Sequence, residues 1–173
     1  MRSTCCETGV DVTADLPDFH IPHDEKIAWM VETNGWAIES VPPGASTTAD
    51  GVPMPTYSYT VNFPTAFSMP EVVIVGLTPV ACRGLFDLVA DVCGSGQSIE
   101  LDSEIVGLFD GEQRARFVLV NRSAYGHLFP SAASWHKGRA FDVVQMLWPD
   151  RNGFLPGEAG FDQRLRFTQP LFG

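Results

Sequence analysis

At 173 residues and 45% hydrophobic side chains, the chain has the size and composition of one globular domain with a core of its own. Its 11 Lys and Arg against 21 Asp and Glu leave a formal net charge of -10, which weighs against nucleic acid, since phosphate-backbone binding draws on cationic contacts. No stretch supplies the ~20 apolar residues that span a bilayer, and the first 20 residues hold no continuous apolar run, so the expectation is a cytoplasmic protein with no membrane segment.

Residues 1–21 read as a flexible tail and residues 22–173 as a single domain. Cys5 and Cys6 fall in the tail with no second cysteine pair or histidine cluster beside them, so no zinc site is expected there. Asp24 to Glu32 predicts an amphipathic helix, with Ile27, Met30 and Val31 on one face, acids in the first turn and Gly35 as its stop. Trp36 to Val41 predicts a strand. The breaker-rich loop from Pro42 to Pro55 is long enough to be a cover over a site. In Thr56 to Val61 the alternation of Tyr57, Tyr59 and Val61 with hydroxyl residues predicts a half-buried strand. Asn62 to Thr65 reads as a turn, and Glu71 to Leu77 as an apolar central strand.

Thr78 and Pro79 have the chemistry of an N-cap and a first helical position. The helix they open buries Cys82, Leu85, Phe86, Val89 and Val92, turns Arg83, Asp87 and Asp91 outward, and stops at Gly94-Ser95-Gly96. Cys82 and Cys93 lie ~16 Å apart along that axis, beyond disulfide reach, and read as buried thiols. Strands are predicted around Ile105 to Phe109 and over Arg114 to Val120. Arg114 and Arg116 share a face of the latter, where ordinary surface ion pairs weigh against an anion clamp. Ser123 to His136 is helical, with a kink or a fresh start at Pro130. Tyr125, Leu128, Phe129, Ala132 and His136 share its face. Asp142 to Trp148 is an apolar strand broken only by Gln145; Pro149 ends it, and Asp150-Arg151-Asn152-Gly153 is turn chemistry. The order of elements predicts an α+β fold: a mainly antiparallel sheet with about three helices packed on it, not a regular βαβ winding.

No glycine-rich phosphate loop and no Gly-x-Ser-x-Gly elbow occurs. The candidate site is the strand end after Trp148, where polar groups gather in a loop on a rigid scaffold. Asp150, Arg151 and His136 are the catalytic candidates, with Asp150 orienting the His136 imidazole for general base work. Tyr57, Tyr59, Arg116 and Trp148 are the ligand-binding candidates, and the aromatic content suits a small-molecule pocket. The plainer alternatives are an Asp150 that caps its own turn, an Arg151 paired with Glu158 or Asp162, and a His136 favoured by a helix dipole. The leading expectation is therefore a small-molecule-binding domain, whose catalytic version is an enzyme on an anionic or aromatic small molecule, with no cofactor or oligomeric state assignable. The competing one is an acidic interaction module of inhibitor or immunity type with a basic protein partner. A metal hydrolase using His20, His23 or His136 ranks last.

Tyr59-Thr60-Val61, Met69-Pro70-Glu71-Val72, Val144 to Phe154, Gly160-Phe161-Asp162 and Gln169-Pro170-Leu171 together resemble the bacterial family known as domain of unknown function 4262. The resemblance runs from about His23 to the C-terminus, with the Trp-Pro-Asp segment its most specific part, and it implies a soluble bacterial single domain without supplying catalytic residues. The chain departs from the pattern at three places. Asn62 stands where members have glycine after Tyr-Thr-Val, Met69 and Val72 where they have His-Pro-Glu-Leu, and Asn121 where a histidine often precedes Ser-x-Tyr. The missing histidines imply a binding role or a reaction resting on other residues.

Overall fold

The structure is a computed structural model that describes residues 22–109 and 111–173. The expected tail, with Cys5, Cys6 and His20, lies outside the described residues. Helix α1 (His23–Asn34) carries Asp24 and Glu25 in its first turn and ends at Gly35, whose φ of 83° only glycine adopts at no steric cost. Strand β1 (Ala37–Val41) leads into the breaker-rich loop, which closes on itself through backbone bonds from Gly44 to Met54 and from Met54 to Ser46. His127 Nε2 and Thr47 O, 2.8 Å apart, tie the loop to the body of the domain.

After β2 (Tyr57–Val61), the expected turn is a short helix, α2 (Phe63–Phe67), opened by Asn62 and closed by Ser68, both in the left-handed region. Strand β3 (Glu71–Val75) precedes α3 (Pro79–Gly94), where the Thr78 side chain accepts from the Ala81 amide as an N-cap does. Cys82, Phe86 and Val89 of α3 are buried, while Leu85 and Val92 are only partly covered. Strands β4 (Glu104–Val106) and β5 (Arg114–Leu119) follow. The helical stretch beyond them is divided into α4 (Arg122–Tyr125), one 3-10 turn and α5 (Pro130–His136), so Pro130 starts a new helix rather than kinking an old one. Strand β6 (Val143–Leu147) completes the sheet, and a second 3-10 turn spans Gln163–Phe167.

The described residues form a single α+β domain with one sheet of order β1-β2-β3-β6-β5-β4. Neighbours are antiparallel except the central pair, where β3 and β6 run parallel with Glu71 opposite Val143. One face carries Tyr57, Tyr59, Val61, Val73 and Val143 against Ile27 of α1, Phe129 just before α5 and Ala132 within it. The other carries Val72, Ile74, Phe117, Val144 and Met146 against α3. Both faces are therefore roofed, which corrects the half-buried reading of β2: Ser58 and Thr60 are 0% exposed along with the tyrosines. Alternation in β2 separates two buried faces of different chemistry, because the hydroxyls find partners. Ser58 Oγ lies 2.9 Å from Ser40 Oγ, and Thr60 donates to Glu71.

Two glutamines sew the C-terminal segment to the sheet. Gln145, the polar break in β6, donates to Pro170 O and accepts from the Phe172 amide. Gln169 brackets Trp148, accepting from its amide and donating to its carbonyl.

Candidate functional site

Glu71 opens β3 and is fully buried. A carboxylate there is tolerable only with its lone pairs satisfied, and four donors surround it. Oε1 lies 2.6 Å from the Asn62 amide and 2.8 Å from His136 Nε2. Oε2 accepts from Thr60 Oγ1 at 2.7 Å and from the Phe63 amide at 3.2 Å. The local sequence explains the convergence. Asn62, at φ 83°, turns the chain out of β2 so that two successive amides point back at the start of β3. Its side chain then braces the turn, donating to Gly35 O and accepting from the Trp135 indole. Burial pushes the Glu71 carboxyl above its ordinary range, against the opposing pull of Thr60, His136 and the two amides.

His136 ends α5 and is 6% exposed. Its ring stacks on Phe141 with centroids 4.5 Å apart, and Arg122 lies over the same phenyl ring at 4.1 Å. When Glu71 is ionised it can only accept, so the ring hydrogen of a neutral His136 then sits on Nε2 and Nδ1 is the ring's acceptor. No hydrogen bond to Nδ1 forms among the described residues. The residue lines a cleft of about 310 Å³ whose walls are Pro64, Met69, Pro70 and Phe141, with Ser68 and Asp142 as polar groups. A buried carboxylate that orients the imidazole of a residue lining a cleft is an arrangement that can take up and return a proton.

The strand-end residues are arranged differently from expectation. His136 meets Glu71 at the start of β3 and β6, whereas Trp148 and Asp150 follow the end of β6, ~16 Å along the strand. The expected His136 to Asp150 contact does not form, because α5 leads directly into the start of β6 while Asp150 follows its end, and the parallel pairing places the start of β3, with Glu71, beside His136. Asp150 accepts from the amides of Asn152 and Phe154 on one oxygen and of Asp162 on the other, at 2.8 to 3.0 Å. Burial works to raise its pKa, but the three amides outweigh it and hold the carboxyl below the usual range. Arg151 is exposed, and neither Glu158 nor Asp162 is its ion-pair partner: Glu158 takes Arg114 and Asp162 takes Arg164. Arg116 pairs with Glu104. Trp148 donates its indole hydrogen to Val75 O. Tyr57 and Tyr59 lie inside the core, Tyr57 donating to Leu128 O and Tyr59 accepting from the Ser131 amide. Burial pushes the Tyr59 hydroxyl up to about 12.

Glu71 was missed in the sequence because it heads a run of valines and isoleucine that reads as plain core. The signal for it lay in the resemblance. A family model described as domain of unknown function (DUF4262) matches residues 30–162, most of the chain. The chain belongs to this family. No curated protein and no solved structure matches it. The DUF4262-like segments Tyr59-Thr60-Val61 and Met69-Pro70-Glu71-Val72, distant in sequence, meet at one carboxylate: Thr60 and the residue after Val61 both bond Glu71. Asn62 stands at a positive φ, a conformation that asparagine tolerates better than most residues. Met69 lines the cleft beside His136. Among the described residues, no three His, Cys, Asp or Glu side chains come together as a metal-holding group, and no helix is long and apolar enough to cross a membrane.

Proposed function

We propose that this domain binds a small polar molecule in the cleft beside His136, and that the Glu71 and His136 pair exchanges a proton with it. The observation that carries the reading is the buried carboxylate, held by three other donors, that meets the imidazole of a residue lining the cleft. Apolar walls with a hydroxyl, a carboxylate and an imidazole suit a ligand having an apolar body and at least one hydrogen-bond donor. The meeting of DUF4262-like segments at Glu71 supports the same place. The loop after Trp148 is a weaker candidate, since both Asp150 oxygens are engaged in holding that loop.

Native mass spectrometry of gently purified protein, followed by NMR mapping of whatever is retained and of a fragment library, tests this. The expected result is binding that shifts residues 68–72 and 136–142, with saturation lost in His136→Gln while the melting curve stays cooperative. No ligand that shifts residues 68–72 and 136–142, or a His136→Gln protein that binds such a ligand as well as the parent, would sink the proposal.

A further inference from the structure

We propose a second binding site, for a zwitterionic small molecule of the amino-acid class, in the groove between α3 and the edge of the sheet at β1. The groove encloses about 460 Å³. Its floor is apolar, made by Trp36, Ile38 and Phe67, and its rim carries Arg83, Asp87 and Asp91 of α3. These three follow one another at one-turn spacing, roughly 6 Å between neighbours, so a cation and two anions line one wall.

Arg83, Asp87 and Asp91 form no ion pair among the described residues, a state Arg83 shares with Arg122, Arg139, Arg151 and Arg166, but here the cation and the two acids lie together on one groove. An arginine N-terminal to its acid is the weaker orientation for a one-turn pair, which leaves all three groups available to a ligand. A simple anion entering the groove meets Asp87 and Asp91, and a simple cation meets Arg83. A molecule carrying both charges satisfies the wall, with its carboxylate on Arg83, its ammonium on Asp87 and its apolar side chain on the floor. Pro64 and Ser68 of the α2 region line the His136 cleft while Phe67 lines this groove, so the two sites use different residues. Either can fail without the other.

The test is an NMR titration of the isotope-labelled full chain with L-phenylalanine and L-leucine, using 2-phenylethylamine and 3-phenylpropanoate as single-charge analogues. Saturating shifts at the Trp36 indole and along residues 83–91 are expected from the amino acids, with each analogue about tenfold weaker because one charge-assisted contact is lost. Arg83→Gln should erase the preference for L-phenylalanine over the amine, and Asp87→Asn its preference over the acid. Both variants lie on the exposed face of α3, and an unchanged amide spectrum elsewhere confirms that they fold. No saturating shift in the groove from either amino acid, equal affinity for the analogues, or unchanged preferences in the variants would overturn the proposal.

Discussion

Two carboxylates show how environment sets the role of a residue. Asp150 is held by three backbone amides at a partly wet loop and is driven toward its charged form. Glu71 has more donors yet is driven the other way, because it is fully buried. The difference predicts unequal tolerance of amide substitution. In Glu71→Gln the new amide hydrogens face donors on one side, either the Phe63 amide or the Asn62 amide, and the His136 ring loses its charged partner. A loss of about 3 kcal/mol of unfolding free energy is expected, measured by urea denaturation. A variant as stable as the parent would mean that Glu71 is already neutral and contributes little as an acceptor.

At the scale of elements, placement depends on close approach as much as on propensity. Gly76, just past β3, has φ 85°, and a Cβ there would stand 2.3 Å from Thr168 O in the C-terminal segment. Gly76→Ala should therefore cost about 3 kcal/mol, from backbone strain plus overpacking. It should also loosen the Gln169 clamp on Trp148, visible as faster amide exchange at Trp148. Unchanged exchange with unchanged stability would show that the C-terminal segment shifts freely. The short α2 was not legible because five residues around Pro64 carry too little periodicity to separate a helix from a turn. The Thr78 cap and the Pro130 restart were legible, since both are local chemistry.

Across the whole molecule, the net charge of -10 makes acid titration the natural probe of stability. Asp150, Asp162 and Glu158 all have folded pKa values below their ordinary ones. A depressed folded pKa contributes stability that is present above the unfolded value, about 4, and lost as pH falls through the folded value. Glu71, raised in the fold, has the opposite sign: its contribution is present below the unfolded value and is lost as pH rises through the folded one. Denaturant midpoints measured against pH should therefore separate the two. The parent's advantage over Asp150→Asn should shrink as the solution is acidified below about pH 4, and an advantage that stays constant there would show that Asp150 titrates normally.

Composition and local pattern by themselves determined the single α+β domain, most helix and strand positions and the capping of α3. Those features rest on periodicity and on contacts a few residues apart, which a linear reading can follow. Only the tertiary structure decided where the chemistry gathers. The parallel pairing of β3 with β6 joins segments about seventy residues apart and sets Glu71 at the end of the sheet where His136 lies, while α1 and α5 on one face and α3 on the other roof β2. Long-range pairing of this kind leaves no local trace: a glutamate at the head of an apolar strand looks the same whether it faces solvent or a histidine from the far end of the chain.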